Sequence, residues 1–571
     1  MPVNPFRRLG GATLGILLLA VSAAGAQAPE AMRVFTAPFP PEEFAARRTR
    51  VMERIGDAVA VIQGAAEKPN ESEFRQNNQF HYLTGVDLPR AILVIDGRTR
   101  RSTLYLPPRN RANAYGPLLA PGPHAVRETG IEAVVVRDSF TVDLPRLASD
   151  GRRILTPHRP EVLGAGSAGD ATAFARATKE DPWDGRASRE DAFIARLRVA
   201  LPGATVANLD PILDSLRAIK SPREIELIRE ATRITGLGIM EAIRDARPGM
   251  YEYELDAAAR YVFRKHGAQG EAYFALVATG ANMPYSHYHK GTSRLRDGDL
   301  VQFDYAPDYR YYVSDVTRVF PANGKFTARQ RELYEIYLRL YQALLTSIRP
   351  RVAPRDIIKG AVVKMDSVMA SYSFTDAAIR SAATRFVERY RTSQSNSLGH
   401  TIGMEVHDVR LSSDVLLPGH IFTIEPAMNL AGERVGLRLE DVILITETGY
   451  ENLSAFVPVE IADIERLMAQ PGLSDALLKP PGQGRKLAWT CRACAVASSL
   501  SSPSSAFSQP VPRPARDRIA TATPTGRNGT CSPRSRPARS IPPGVPTVAG
   551  SRSRCAATSG RCRQKAERRS R

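Results

Sequence analysis

The sequence predicts an α/β amino-terminal domain, a second domain that combines helices with β-hairpins, and a basic tail that builds no core. The first domain follows from helical and strand patterns that alternate between Phe35 and about Ile219. The second follows from long helical patterns after Lys220, interrupted by two pairs of apolar strands. A chain of 571 residues is too long for one ordinary core, so two domains with additional segments are expected.

The first 26 residues have the features of an export signal. Arg7 and Arg8 precede the apolar run Leu9–Ala23, and the small residues Ala24–Ala26 form a cleavage site. The run is short for a membrane-spanning helix, and no basic stop signal follows it. We therefore expect a signal peptide at residues 1–26, a periplasmic or secreted protein after cleavage, and no membrane span in the mature chain. An uncleaved anchor is the alternative.

The amino-terminal domain is expected over residues 34–219. Its predicted elements, in order, are a helix near 42–55, strands near 58–61, 91–95 and 131–136, and a helix near 189–199. The segment FRQNNQFHYLTGVDLPRAILVI, Phe74–Ile95, is predicted to be a polar loop followed by the buried strand Ala91–Ile95.

The second domain begins with a helix whose start is marked by three residues. Ser221 can cap the helix, Pro222 suits its first turn, and Glu224 stands three residues after the cap. The helices predicted for this domain are 222–244, 252–266, 328–348 and 354–369. Strands with two aspartates are predicted between these helices, and strands with two glutamates after them.

Two aspartates are predicted to face each other across the first hairpin. In GDLVQFDYAPDYRYYVSDVTRVF, Asp304 and Asp315 lie in apolar runs on either side of the turn-like segment Pro307–Arg310. A turn centred between Tyr309 and Arg310 places the two aspartates directly opposite each other.

Two glutamates repeat this arrangement. In HIFTIEPAMNLAGERVGLRLEDVILIT, a turn over residues 431–434 places Glu425 opposite Glu440. Like charges directly opposed on one sheet face lie about 4.5–5.5 Å apart and destabilise the pairing. When such carboxylates are buried, they need protons or shared cations. Either hairpin alone could be an edge ribbon with its carboxylates in water, but two such pairs in apolar strands favour a cation site.

A nitrogen donor lies between the two hairpins in the sequence. SLGHTIGMEVHD contains His400 and His407, two of only nine histidines, among glycines that permit close backbone approach. Four carboxylates and an imidazole are too rich in oxygen for a closed structural zinc site. They suit a pair of Mn²⁺, Co²⁺, Zn²⁺ or Fe²⁺ ions about 3.5–4 Å apart.

The five candidate ligands and the words around them (FDY, SDVTR, GHTIGMEVHD, IEPAM, LRLEDV) resemble the pita-bread metallopeptidases, which include methionine aminopeptidase, prolidase, aminopeptidase P and creatinase. The resemblance runs from about Lys220 to Met468. Phe74–Ile95 looks like the signature of the aminopeptidase P amino-terminal domain; methionine aminopeptidase lacks this domain, and prolidases have a related one. The resemblance implies an aminopeptidase P amino-terminal domain at 34–219 and an α+β pita-bread catalytic domain at 220–470.

The resemblance also implies the roles of five metal ligands. Asp304 would bind one ion, and Asp315 and Glu440 would bridge both ions. His400 and Glu425 would bind the other ion. Glu425 would also carry a proton from the attacking water to the leaving nitrogen.

Further residues match the family's substrate-binding groups. His287, in SHYHK, and His407 match two histidines expected to bind substrate and stabilise the reaction intermediate. Arg438 lies two residues before Glu440 and therefore on the same strand face. It matches a family arginine that could orient carboxylates or substrate, and a structural salt bridge is the alternative. By contrast, the two remaining histidines near these motifs, His289 and His420, are predicted to be structural.

The resemblance implies an exopeptidase that removes an N-terminal residue preceding proline. It would use two divalent metal ions, with Mn²⁺ favoured over Co²⁺, Zn²⁺ or Fe²⁺, act on proline-containing peptides and form a homo-oligomer. Asn396 stands where aminopeptidase P usually has a histidine of the substrate pocket, so the specificity stays open. A prolidase restricted to Xaa-Pro dipeptides is the nearest alternative. A non-catalytic peptide-binding relative is disfavoured because all five ligands are intact.

The end of the chain holds most of the positive charge. Between Arg485 and Arg571 there are 18 Lys or Arg against Asp517 and Glu567, which accounts for +16 of the net charge of +19. The rest of the chain therefore gives little support for specific nucleic-acid binding. All five cysteines lie in this region; two of them form a lone C-x-x-C, which is weak support for a zinc site.

Residues 479–571 are expected to be disordered. They are rich in Arg, Ser, Pro and Ala and show neither helical nor strand periodicity, so they cannot bury enough apolar surface to offset the entropy of ordering. A basic arm for anionic surfaces, a passive solvated tail and a shifted-frame translation of a G+C-rich gene are the alternatives. The dominance of Arg, Ala, Pro and Gly favours the shifted frame.

Overall fold

Helices and strands are described for residues 39–67, 74–108, 119–430 and 432–477 in a computed structural model of the protein. All of these residues belong to one unit of the chain, residues 1–486. The predicted signal peptide, the basic tail and its cysteines lie outside the described residues. Within the described part, no helix is both long enough and apolar enough to cross a membrane.

The helices, in chain order, are α1 Pro41–Ile55, α2 Asn78–Thr84, α3 Pro123–Thr129, α4 Ser139–Leu147, α5 Ala168–Glu180, α6 Arg189–Ala200, α7 Asp210–Arg217, α8 Pro222–Asp245, α9 Glu252–Lys265, α10 Ala328–Leu345, α11 Pro354–Ser371, α12 Ala377–Arg391, α13 Ile461–Met468 and α14 Leu473–Leu477. The strands are β1 Val59–Gln63, β2 Ile92–Asp96, β3 Arg101–Leu106, β4 Ala133–Val136, β5 Ile154–Thr156, β6 Val206–Asn208, β7 Gly270–Glu271, β8 Leu276–Thr279, β9 Leu300–Asp304, β10 Pro307–Tyr309, β11 Tyr312–Val313, β12 Thr317–Pro321, β13 Ile421–Ile424, β14 Ala427–Leu430, β15 Val435–Arg438, β16 Asp441–Ile445 and β17 Tyr450–Asn452.

A mixed sheet in the order β4-β3-β2-β1-β5-β6 forms the centre of the amino-terminal domain. Successive side chains of β1 enter two different cores. Ala60 and Ile62 pack on one face of the sheet, whereas Val59 and Val61 pack with Phe140 of α4 on the other. Helices therefore cover both faces, and the predicted α/β domain is confirmed.

Helices and short antiparallel sheets alternate in the second domain, which confirms the α+β prediction. Its first helix, α8, begins as expected: Ser221 and Glu224 cap each other's backbone amides. Helices α8 and α9 pack closely because a glycine lies at their contact. A Cβ atom at Gly238 would collide with the ring of Phe263.

Eight of the fourteen described helices were not predicted, namely α2–α5, α7 and α12–α14. Helix α2 lies where a polar loop was expected; it is capped by Asn77, whose side chain accepts a hydrogen bond of 2.8 Å from the amide of Phe80. All seven of its residues are buried, so it lacks the polar face on which helical periodicity depends. Helix α12 is capped by Asp376 and packs through Phe386 and Val387.

The predicted register of the aspartate hairpin is wrong by two residues. Asp304 pairs with Thr317 instead of Asp315. The turn consists of Arg310 and Tyr311, whose φ angles of 52° and 73° give the left-handed conformation that a two-residue hairpin turn requires. Neither residue is a glycine or asparagine, so the sequence carried no signal for this position.

The predicted register of the glutamate hairpin is confirmed. Ile424 pairs with Asp441, and Ala427 pairs with Arg438. Glu425 lies between β13 and β14, and Glu440 lies between β15 and β16, so the register places the two glutamates opposite each other. An isolated bridge between Thr317 and Glu440 joins the two hairpins and brings all four acidic residues to one place.

Candidate active site

A cavity of about 230 Å³ is lined by side chains from both hairpins, from the loop 400–408 and from the start of α5. His287, His407 and Arg438 are among its lining residues. So are all five predicted metal ligands, Asp304, Asp315, His400, Glu425 and Glu440.

The aspartates are held together by other side chains. Asp304 ends β9, and Asp315 lies in the irregular segment between β11 and β12. The hydroxyl oxygen of Tyr273 lies 2.6 Å from Asp304 Oδ1 and 2.5 Å from Asp315 Oδ1. Arg438 pairs with Asp304 Oδ2, and its Nη1 lies 3.7 Å from Glu425 Oε2. Arg438 thus connects one acidic residue of each hairpin.

His400 lies among the other carboxylates. Its Nε2 is 3.4 Å from Asp315 Oδ2 and 3.4 Å from Glu425 Oε1. The same nitrogen is 3.6 Å from Glu440 Oε1. Gly399 permits this position, because a Cβ atom there would collide with a backbone carbonyl of β13.

Burial and mutual charge dominate the electrostatics. Burial, together with the charges of Glu440 and Asp304, raises the pKa of Asp315 well above its ordinary value. Burial and Glu440 likewise raise the pKa of Glu425 to about 7. Burial opposes the charge on His400, but its carboxylate neighbours outweigh this and raise its pKa to about 11. The cluster therefore favours bound positive charge, either as protons or as cations.

The donor atoms fit divalent cations. Ligand atoms of Asp315, His400 and Glu440 lie within 4.8 Å of one another. Glu440 Oε2 accepts a hydrogen bond of 2.8 Å from Thr317 Oγ1, but Oε1 is buried with no hydrogen-bond partner among the described residues. Such an oxygen is costly unless a cation binds it. With the two remaining carboxylates, the donor set suits first-row divalent metals.

Known proteins match both domains. Residues 44–155 match the aminopeptidase P N-terminal domain, and residues 226–447 match metallopeptidase family M24. An Xaa-Pro aminopeptidase of Escherichia coli strain K12 is 30% identical over 451 residues, which cover 75% of this chain and 97% of that protein. The chain belongs to metallopeptidase family M24.

Other M24 proteins show the same extent of similarity. An Xaa-Pro aminopeptidase of Haemophilus influenzae is 29% identical over 457 residues, 76% of this chain and 99% of that protein. The structure of E. coli aminopeptidase P with the inhibitor Pro-Leu matches with a TM-score of 0.60 and 28% identity, over 76% of this chain and 99% of the other. The similarity therefore includes the arrangement of both domains.

The histidines of this M24 protein differ in their surroundings. The ring of His407 lies edge-on to that of His400 at 4.2 Å, and burial and His400 lower the pKa of His407. His287 lines the same cavity from an exposed position. His289 is exposed, with its Nδ1 2.9 Å from the carbonyl oxygen of His287. His420 is buried, and burial lowers its pKa to about 3.

Asn396, which stands where the resemblance to aminopeptidase P implies a histidine, lies outside the cavity lining. It is exposed, and its Oδ1 accepts a hydrogen bond of 3.3 Å from the amide of Arg355. A direct role for Asn396 in the cavity wall therefore finds no support in its position.

Buried ion pairs that were not predicted from the sequence hold the loop 400–408. Arg217 Nη2 lies 3.1 Å from Glu405 Oε1 and also pairs with Asp408. Lys220 Nζ lies 3.1 Å from Asp408 Oδ2. A signal was present, because the segment GMEVHD places two acidic residues among apolar residues and a glycine. Acidic residues in such surroundings are rarely buried without partners.

Three further residues that contact the site or its supporting loop were also missed. From the amino-terminal domain, Asn78 Nδ2 donates to Glu405 Oε1 at 3.0 Å. Tyr273 and Thr317 bind the site carboxylates through their hydroxyl groups. Single hydroxyl or amide side chains form no motif, so only the fold could identify them.

Proposed function

We propose that this M24 protein is an Xaa-Pro aminopeptidase, which hydrolyses the bond between an N-terminal residue and a following proline. The observation that carries the proposal is that one cavity brings together four carboxylates, His400, and the additional histidines His287 and His407. The relatives of matching length and domain order that are named above are Xaa-Pro aminopeptidases.

The chain's own residues can hold two divalent ions. Asp304, Asp315, His400, Glu425 and Glu440 would be their ligands. When bound, such ions polarise a carbonyl group and lower the pKa of water toward neutrality. We favour Mn²⁺ among the candidates, since carboxylate oxygens predominate in the donor set. The proposal also includes export by the amino-terminal signal and assembly into a homo-oligomer.

Glu425 and His407 are suited to the proton transfer and charge stabilisation of peptide hydrolysis. Glu425 Oε1 lies 3.4 Å from His400 Nε2 among the proposed ligands, where its carboxylate is positioned to take a proton from the attacking water. His407 lines the same cavity without being a proposed ligand, so its ring N–H is positioned to donate to the oxygen that becomes negative in the transition state. His287, at the exposed side of the cavity, is positioned to bind substrate.

The cavity also suits proline. The bond before proline is a tertiary amide without an N–H group, so an enzyme that recognises this donor handles it poorly. Phe274, Leu276 and Val406 give the cavity an apolar surface for the pyrrolidine ring. The leaving nitrogen must still gain a proton, which Glu425 would deliver.

Peptide hydrolysis by metal-loaded protein tests the proposal. Protein loaded separately with Mn²⁺, Co²⁺ or Zn²⁺ is assayed with Ala-Pro-Ala, Ala-Pro and Ala-Ala-Ala. An Xaa-Pro aminopeptidase releases alanine from Ala-Pro-Ala but not from Ala-Ala-Ala. Cleavage of Ala-Pro alone would identify a prolidase. Binding of the peptides without cleavage of any of them would contradict enzymatic function.

A further inference from the structure

The start of α5 forms a wall of the active-site cavity. Ala165, Gly166 and Asp170 are among the lining residues. Helix α5 buries none of its own residues, so core packing does not explain the position of this wall. Among the described lining residues, Asp170 is the one acidic residue in addition to the four proposed ligand carboxylates.

Specific bonds fix the wall in place. The amide of Ala168 donates to Glu405 Oε2 at 2.7 Å, and the amide of Gly166 donates to the carbonyl oxygen of Ala272 at 2.9 Å. Ser167 Oγ donates to Asp170 Oδ2 at 2.7 Å. The capping box of α5 therefore holds the Asp170 carboxylate beside the cavity, although Asp170 itself is exposed to solvent.

The Asp170 carboxylate lines the cavity, and little positive charge opposes it there. Arg438 is the one Lys or Arg among the described lining residues, and it is already paired with Asp304 and near Glu425. The four ligand carboxylates balance the charge of two divalent ions. A substrate anion would therefore meet Asp170 without a free cationic side chain.

Xaa-Pro dipeptides bring such an anion into the cavity. Their carboxylate carbon is only two bonds from the scissile nitrogen, and the group is ionised at neutral pH. In a longer peptide the same position is a neutral amide, and the carboxylate lies at least one residue farther out. The two substrates thus differ in charge at the position nearest to the chemistry.

We propose that Asp170 is a specificity-determining residue that repels the carboxylate of Xaa-Pro dipeptides and so directs the enzyme to longer peptides. This inference rests on the proposed Xaa-Pro aminopeptidase function. It assigns to the start of α5 a role in selecting substrates by their chain length.

Ala-Pro and its amide, Ala-Pro-NH₂, provide the test, because they differ mainly in the terminal charge. In wild-type protein the amide and Ala-Pro-Ala should have the higher kcat/KM. Asp170→Asn should lower the ratio of kcat/KM for Ala-Pro-NH₂ to kcat/KM for Ala-Pro by about three- to tenfold, as expected for the loss of one partly solvated charge. Asp170→Arg should narrow it further, and Asp170→Glu should preserve it. Added salt should narrow the wild-type ratio but not that of Asp170→Asn.

Two controls separate charge from structure. Thr172→Ala alters α5 near Asp170 without removing a charge or a partner of Asp170, and Glu180→Gln removes a charge from the far end of α5; both should retain the wild-type ratio. An unchanged ratio in Asp170→Asn and Asp170→Arg would overturn the inference while leaving the proposed function intact. An equal change in Thr172→Ala would assign the effect to the structure of α5 and would also overturn it. Wild-type protein that cleaves none of the Xaa-Pro substrates would instead refute the proposed function.

Discussion

His400 Nε2 lies 3.6 Å from Glu440 Oε1, an oxygen that has no hydrogen-bond partner among the described residues. Few side chains determine the net charge of the candidate metal site, so the loss of one of them should have a large effect. Asp315→Ala removes one carboxylate and should lower both bound metal and peptide hydrolysis, the latter by more than about 100-fold, because ligands act more directly than the residues that orient them. Metal analysis and the Ala-Pro-Ala assay measure both effects. Asp256→Ala is the control, because this half-buried aspartate of α9 pairs with Arg260 and lies outside the cavity lining. Two ions per subunit in Asp315→Ala would contradict the two-metal centre.

His407 tests the contribution of a residue that binds no metal. His407→Ala should keep its metal but lose about 2.7–4 kcal/mol of transition-state stabilisation, which corresponds to a decrease in kcat of about 10²- to 10³-fold. His289→Ala provides the matched control, since His289 is exposed nearby and outside the cavity lining. Wild-type kcat in His407→Ala would show that the histidine is structural.

His420 should make folding stability depend on pH. Burial lowers its pKa to about 3 from the ordinary 6.5, so the folded protein binds this proton more weakly than the unfolded chain. The contribution of neutral His420 to folding stability is complete above pH 6.5 and is lost as the pH falls toward 3. When the pH falls from 7 to 5, the unfolding free energy of wild type should decrease by up to about 2 kcal/mol more than that of His420→Gln. Urea unfolding at both pH values measures this difference, with the exposed His266→Gln as control. Parallel losses in His420→Gln and wild type would refute the prediction.

At the scale of elements, the two hairpins show which features a sequence specifies. The glutamate hairpin has Gly432 in its turn, with a φ of 82°, and its register was predicted correctly. The aspartate hairpin turns at Arg310 and Tyr311, neither of which is a glycine, and its register was predicted incorrectly. Asp304 and Asp315 nevertheless meet, because Tyr273 contacts both.

Long amphipathic helices were predicted from their periodicity, as α8 and α10 illustrate. Helix α2 was not, because all of its residues are buried and its polar groups are satisfied by distant partners. Asn78, for example, donates to Glu405, which lies 327 positions later in the chain. The ligand types could thus be chosen from the sequence, whereas the residues that orient them required the fold.

The ion pairs of the loop 400–408 are expected to be important for stability. Arg217→Met leaves Glu405 and Asp408 buried with less compensation, and losing one partner of a buried pair costs about 3–5 kcal/mol. Arg229→Met, in the half-exposed pair with Glu451, should cost at most about 1 kcal/mol. Urea unfolding of both variants provides the comparison. Equal losses in the two variants would contradict a special role for the buried network.

At the scale of the molecule, the amino-terminal domain contacts the segments that carry the candidate active site. Asn78 supports the loop that carries the active-site histidines. Arg75 Nε lies 2.6 Å from Oδ2 of Asp308, a residue of β10 that lies between Asp304 and Asp315 in the sequence. These contacts fix the amino-terminal domain against the segments of the second domain that carry the candidate site.

The tail should be dispensable for this assembly. Every proposed site residue and every residue of the two described cores precedes Leu478, and the sequence beyond it lacks apolar periodicity. Truncation after Leu478 removes 19 Lys or Arg and two acidic residues, which lowers the net charge from +19 to +2. Hydrolysis of Ala-Pro-Ala and the melting temperature should be nearly unchanged, whereas any salt-sensitive binding to polyanions should disappear with the charge. Loss of metal, activity or several degrees of stability on truncation would show that the tail is an integral part of the fold.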